Sequence, residues 1–303
     1  MGGVIPVPLP WLRPLRRGAV RFRRGTITRN ACIALLKIFS KSRRLSLEVD
    51  EIRPYDRPML SFEPSDSMVM DAVYWYGVQG YEGRMADLWE TLCSGSIDVL
   101  EVGGNVGLFT VLGARLRKGR YTVVEPLPWV AEVLRANLAR NRVTGVEVLQ
   151  AAAIPEAEPA EVFLNVPAEG RHAPVGAHLV SGVEAISRTS LDVLTVDGLP
   201  FSQLAEGKDL IKIDAEGIEA ALLGSAEQIL ANARPTIVVE VLPGTRRLAQ
   251  LIARFATEYH YNIHIVPAYG SDTIVRIAAE DFDSHVPARL NSKDVVLSQD
   301  YIE

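Results

Sequence analysis

The sequence contains no run of eighteen apolar residues, so no segment is read as a membrane-spanning helix. It has two cysteines, Cys32 and Cys93, in 303 residues. That is too few for a disulfide framework and suits a reducing, cytoplasmic setting. The five histidines are scattered, and neither they nor the cysteines fall into a metal-ligand spacing. An Asn-Pro-Pro-aromatic run, the usual mark of base flipping, does not occur. Acidic residues are missing altogether from residues 1–44, which carry eleven Lys/Arg. The rest of the chain therefore holds 21 basic and 37 acidic residues, a balance of −16. Such a body argues against a nucleic-acid partner, although the basic arm could touch phosphates.

That asymmetry marks residues 1–45 as an arm with its own task. Residues 1–25 are rich in Pro, Gly and Arg, and 27–41 have the spacing of a short amphipathic helix. Ile33, Leu36 and Ile38 or Phe39 form its apolar side, flanked by Lys37 and Lys41. Three readings follow from this composition. The arm is an extension that docks on the core, a peripheral contact with an anionic membrane surface or substrate, or a transit peptide. A secretory signal would need a longer uncharged core.

The whole sequence is 48% hydrophobic, ample for a sizeable core. Residues 46–96 read as short strand-like pieces (59–63 and 67–77) and a helix at 83–94, packed on the domain that follows. From 97 to 303 the pattern becomes regular. Strand 97–102 precedes a glycine-rich turn and helix 106–117, and strand 121–125 precedes helix 128–140. Strands 146–151, 190–196 and 209–214 follow, then helix 217–231, strand 236–241 and helix 244–258. Strands near 261–266, 272–278 and 294–298 finish the chain. Residues 154–190 are irregular, with one strand at 160–164. Alternating β and α with nearly continuous apolar strands predicts an α/β, Rossmann-like sheet of seven mostly parallel strands, with helices on both faces and an N-terminal extension. Ligands of such sheets bind beyond the carboxyl ends of the strands.

Four groups of residues sit at those ends. The first is Glu101-Val102-Gly103-Gly104-Asn105-Val106-Gly107, between strand and helix. Gly103 can take the sharp turn, Gly103 and Gly104 admit a ligand close to the backbone, and Gly107 allows tight packing of helix on strand. The order is Gly-Gly-x-x-Gly, not that of the dinucleotide fingerprint. Glu101 would repel a pyrophosphate and suits a ligand with a cationic amine, such as the methionine end of S-adenosylmethionine. The second group is Glu125-Pro126, whose carboxylate can accept both hydroxyls of a ribose. The third, Gln150-Ala151-Ala152, would lie beside an adenine, with Gln150 bonding to its edge. The fourth is Lys212-Ile213-Asp214-Ala215-Glu216-Gly217-Ile218-Glu219, where alternation puts Lys212 and Asp214 on one side. Three carboxylates within six residues can supply a general base or place hydroxyls. A strand-end acid that caps the next helix explains Glu219 and could explain Glu216.

In this order the four groups resemble class I S-adenosylmethionine-dependent methyltransferases, and more narrowly the FkbM family. Its pattern runs Asp-Val-Gly-Ala-Asn-x-Gly, Glu-Pro, Lys-Ile-Asp-x-Glu-Gly-x-Glu and a strand ending Val-Glu. Here those are Glu101–Gly107, Glu125-Pro126, Lys212–Glu219 and Val239-Glu240, with Tyr81-Glu82 upstream as a further match. The resemblance covers roughly residues 60–245, with Glu101 in place of Asp and Gly104 in place of Ala. It implies S-adenosylmethionine as cofactor and O-methylation of a sugar, glycan or secondary metabolite.

On this reading Asp214 also borders the cofactor, and it is the base or the acceptor's anchor, with Glu216 assisting. Lys212 tempers the charge of the pair or steadies an alkoxide. A divalent cation bridging Asp214 and Glu216 is a secondary alternative. Glu240, Tyr81 and His172 are candidate acceptor contacts, and His178 lies in the same irregular stretch. The aromatic group Tyr74, Trp75, Tyr76 and Tyr81 is read as core in preference to a sugar platform. The runner-up functions are an NAD-type oxidoreductase, which leaves Glu101 and 212–219 unexplained, and a non-catalytic binding or scaffold protein with the same fold.

Overall fold

The computed structural model describes residues 14–16, 27–28, 31–32, 34–35, 49–167, 178–180, 191–266, 273–286 and 293–302. Strands β1 (Asp98–Val102), β2 (Arg120–Val124) and β3 (Val146–Leu149) form one wing of the main sheet. Strands β8 (Leu210–Ile213) and β9 (Thr236–Val241) form the other, so β3-β2-β1-β8-β9 run parallel. Next to β9 lies β12 (Lys293–Ser298), antiparallel to it, then β10 (Asn262–Val266) and β11 (Val275–Ile277). The sheet has eight strands where seven are expected, and the strands read near 261–266, 272–278 and 294–298 all join it.

Side-chain alternation divides the core into two layers. Val99, Tyr121, Val123, Leu210, Val238 and Val296 face one side, buried with Trp89, Phe109 and Leu134. These last come from helices α2 (Arg84–Gly95), α3 (Leu108–Ala114) and α4 (Pro128–Arg140). Leu100, Val102, Ile211, Ile213, Ile237, Val239 and Leu297 face the other side. They meet helices α6 (Glu219–Ser225), α7 (Glu227–Ala233) and α8 (Arg246–Glu258) through Leu222, Leu230, Leu248, Ile252 and Phe255. Full burial of each such side chain stabilises by about 1.5–3 kcal/mol before chain entropy is counted.

Two expectations need correction. Residues 67–77 are not strand-like, since helix α1 spans Met68–Tyr81. Ser67 caps it, its Oγ accepting from Met70 N, and Val69, Met70, Val73 and Val78 recur at helical spacing on the buried side. Tyr74 and Trp75 are core residues, as expected of that aromatic run. Residues 190–196 are not part of the main sheet either. They belong to β7 (Leu191–Pro200) of a second sheet with β4 (Ala152–Ile154), β5 (Ala160–Pro167) and β6 (His178–Val180), in the order β4-β7-β5-β6. Helix α5 (Phe201–Ala205) returns the chain to β8. His172 lies outside the described residues; His178 opens β6 opposite Asn165.

Parts of the arm touch this body. Leu15 and Cys32 pack against the core. The Arg16 guanidinium lies 3.9 Å from the Tyr74 ring centre and donates to Tyr74 O at 2.9 Å. No helix among the described residues is long and apolar enough to cross a membrane.

Helix α1 is interrupted at Gly77, whose φ of 72° and ψ of 173° suit glycine. Asp56 fills the gap, its two oxygens accepting from Val78 N at 2.9 Å and Gln79 N at 2.7 Å. A Cβ on residue 77 would lie 2.6 Å from Asp56 Oδ1. This clamp restarts the helix, which then runs to Tyr81. Asp56→Ala should lower stability by about 1–2 kcal/mol in chemical denaturation, the cost of a lost cap with two orphaned amides. Asp56→Asn should recover part of that loss.

Candidate active site

Strand register assembles the candidate site. Glu101 of β1 is level with Lys212 of β8, and Lys212 with Val238 of β9. Two residues further toward the carboxyl edge, on the same face, come Gly103, Asp214 and Glu240. Glu240 is level with Asp294 of the antiparallel β12. The ladder reaches that row because Asp214 N donates to Val102 O at 3.1 Å. Acidic groups thus form one row across three strand ends, with Lys212 and Glu101 one step below.

Lys212 is 3% exposed, yet its Nζ lies 2.8 Å from Asp214 Oδ2 and 4.6 Å from the centre of the Phe109 ring. Burial works against its charge, but Asp214 and Glu101 hold the ammonium protonated more firmly than usual. Asp214 keeps 36% of its side chain exposed. The alternation expected for this pair is what the structure shows.

Glu101 is 1% exposed and accepts from Tyr121 Oη at 2.6 Å. Burial pushes its carboxyl up to about 7, against the pull of Lys212 and Tyr121. It therefore lies beneath the row of strand-end acids. Glu125 is also buried and pushed up to about 7 by burial, against two backbone amides. Its Oε2 accepts from Asn105 N at 2.9 Å and its Oε1 from Leu127 N at 3.0 Å. Glu125 thus latches the glycine loop to the end of β2, just before the half-buried Pro126.

The glycines divide their work differently from the sequence reading. Gly103 has φ +84°, and a Cβ there would stand 1.9 Å from Asp214 O, so it permits the approach of β8. Gly104 faces inward: a Cβ would meet Val123 at 2.4 Å and Leu134 at 2.8 Å, so its role is packing and not ligand access. Gly107 packs against Leu134 of α4, a helix and not a strand. Asn105 takes φ +47°, and its Oδ1 accepts from Val106 N at 2.7 Å.

After β8, Glu219 accepts from Ala215 N at 3.1 Å and Gly217 N at 3.0 Å, so it braces the loop that precedes α6. Glu216 is half-buried with φ +51°. Of the third group, Gln150 is exposed, while Ala151 and Ala152 are buried and Ala152 starts β4 of the second sheet. Among the described residues no group of three or more His, Cys, Asp or Glu is placed to hold a metal ion.

Two residues join the site that sequence reading did not assign to it. Asp294 enters from β12, and no local signal distinguishes it from any strand-end acid. Glu82 follows α1, and it entered only as half of the Tyr81-Glu82 resemblance; Tyr81 beside it is half-buried. Burial and the Asp294 carboxylate lift the Glu82 carboxyl above the usual range, against Lys212, with Asp214 and Glu240 adding to the lift. Burial lifts Asp294 likewise, opposed by Lys212 and aided by Asp214.

Gly103→Ala should destabilise the chain by at least about 2 kcal/mol in denaturant titrations, since it adds positive-φ strain to a backbone clash. Gly107→Ala, whose nearest contact at 3.0 Å is a Leu134 side-chain carbon, should cost less.

Comparison with known proteins finds a match to the methyltransferase FkbM domain over residues 101–263. No curated protein matches. Among solved structures, the chain is similar to methyltransferase FkbM from Methylobacillus flagellatus KT, 13% identical, covering 95% of this chain and 58% of that one with a TM-score of 0.40. It is also similar to the O-methyltransferase from Bacillus cereus in complex with SAH (15%, 71% and 80%, 0.40). A putative O-methyltransferase from Klebsiella pneumoniae gives 16%, 72% and 80%, and 0.38. The family match spans more than half of the sequence and contains the glycine loop, Glu125 and the Lys212–Glu219 run, so the chain belongs to the FkbM methyltransferase domain family.

Proposed function

We propose that the protein is an S-adenosylmethionine-dependent O-methyltransferase acting on a hydroxyl of a sugar, glycan or secondary metabolite. The observation that carries this reading is the set of strand-end carboxylates: Glu101 under the glycine loop, Glu125 at the end of β2, and Asp214 paired with the buried Lys212. This donor set fits the cofactor. Each Glu125 oxygen binds one backbone amide and keeps a second lone pair for a ribose hydroxyl. The negative charge of Glu101 and Asp214 suits a ligand carrying an ammonium and a sulfonium, and would repel a pyrophosphate. That disfavours the oxidoreductase reading.

S-adenosylmethionine, when bound, supplies an already activated methyl group, so the protein's contribution is alignment and proton handling. Gly103, Gly104, Asn105 and Gly107 shape the loop, and Glu125 fixes it. Asp214, steadied by Lys212, anchors the acceptor hydroxyl, with Glu216 and Glu240 beside it. The eleven basic residues of 1–44 support contact with an anionic membrane surface in addition to docking on the body.

Three measurements test this reading. A labelled-methyl screen over glycans and hydroxylated metabolites should transfer label to a hydroxyl; tight NADH binding with no affinity for S-adenosylmethionine would sink the proposal. Binding should also move protons. The Glu101 carboxyl sits near 7 in the free chain, and a cation favours its ionised form. S-adenosylmethionine binding at pH 7 should therefore release protons, seen by calorimetry in buffers of different ionisation enthalpy, and the release should vanish above about pH 9. Glu101→Gln should diminish the release and weaken binding on the order of tenfold. Asp214→Asn should impair turnover, and unchanged kinetics would remove Asp214 from the site.

A further inference from the structure

Tyr121 is 1% exposed and lies on the same face of the main sheet as Glu101. Glu101 is level with Val123 of β2, so Tyr121 stands two residues earlier on that strand and on the same side. Its hydroxyl donates to Glu101 Oε2 at 2.6 Å. A phenol has one hydrogen to donate, and here it goes to a carboxyl that is itself 1% exposed. Packing alone does not call for that hydroxyl. A phenylalanine ring would fill the same space, and a buried polar group costs free energy unless it is bonded. Two other donors of this layer are directed elsewhere, Trp89 Nε1 to Phe109 O at 3.1 Å and Lys212 Nζ to Asp214 Oδ2 at 2.8 Å.

We infer that Tyr121 is a positioning residue for the methyl donor: its hydroxyl fixes the Glu101 carboxylate beneath the glycine loop, in the form that attracts the donor's cationic groups. This rests on the methyl-transfer reading above and extends it to a side chain buried below the site. A donated hydrogen bond favours the charged form of a carboxyl. Burial pushes Glu101 up to about 7, and Lys212 and Tyr121 oppose that rise. The charged and titratable groups around Glu101 are Tyr121 and Glu125 of β2 and its exit, Lys212 and Asp214 of β8 and its exit, and Cys93 of α2. Helix α3 brings the uncharged Phe109 and Thr110. The phenol keeps its own proton, since burial and the Glu101 charge push its ionisation well above the ordinary tyrosine range. The donor is therefore present throughout the range in which Glu101 titrates.

The first part of the test needs no ligand. In the cofactor-free chain labelled with 13C-glutamate, the carboxyl resonance that Glu101→Gln deletes should titrate near 7. Tyr121→Phe, which keeps the ring and removes the hydroxyl, should raise that midpoint by about one pH unit, the effect of one hydrogen bond to a charged group. In the parent chain the Tyr121 ring carbon Cζ should shift with the same midpoint. A midpoint that stays put in Tyr121→Phe, or a Tyr121 signal that does not follow the Glu101 titration, overturns the inference.

The second part reads cofactor binding by calorimetry at about pH 7. With its midpoint raised, Glu101 is mostly protonated in Tyr121→Phe, so S-adenosylmethionine should bind about fivefold more weakly and release more protons than in the parent. In the Glu101→Gln background, Tyr121→Phe should change affinity by less than about twofold, because the carboxylate it serves is already gone. Equal weakening in both backgrounds would mean that the hydroxyl acts through packing alone, and it overturns the inference. So does a Tyr121→Phe chain that binds as tightly as the parent. Absence of S-adenosylmethionine binding in the parent chain would instead overturn the underlying methyl-transfer reading.

Discussion

Lys212 and Asp214 form an ion pair at the carboxyl end of β8, the ammonium almost wholly out of water. An ammonium in that position has lost most of its hydration, and only neighbouring carboxylates can replace it. Glu101 and Asp214 do so from two adjacent strands, and Asp294 adds to the field from a third. The dependence runs both ways. Without the ammonium, Glu101 would be a buried carboxyl with a tyrosine as its partner and a still higher proton affinity. The pair therefore sets the ionisation of its surroundings as well as its own, and the site's acid–base character follows from where one lysine is buried.

Glu125 plays the corresponding part for geometry. By binding the amides of Asn105 and Leu127 it ties two loops, which follow different strands, into one surface. The positive φ values of Gly103, Asn105 and Gly107 are costly for most residues and persist because that surface is held from both sides.

Much of the parallel half was legible in the sequence. Helix 128–140 begins with Pro128 at its first turn, where a missing N–H costs nothing, and strand 236–241 is a β-branched run interrupted only by Glu240. The pairing of Lys212 with Asp214 followed from alternation alone. Helix α1 was not legible because Val73-Tyr74-Trp75-Tyr76 has strand propensity, and packing of its buried side overrides that preference. The second sheet was missed because β4 and β7 pair across more than forty residues of chain, which local patterns do not record. Gly104 was misread for a related reason: whether a missing Cβ faces a ligand or Leu134 depends on a helix that begins some twenty residues later. Glu82 and Asp294 share the site only through the fold.

The antiparallel strand β12 gives the cleft two builders with separate histories. The parallel strands reach this edge with their carboxyl ends, so the loops they offer lead directly into the helices that stabilise the domain. β12 arrives there with its amino end, between β9 and β10, and contributes Asp294. A change confined to the amino end of β12 would therefore leave the backbone ladder of the five parallel strands, and the glycine loop that follows β1, as they are.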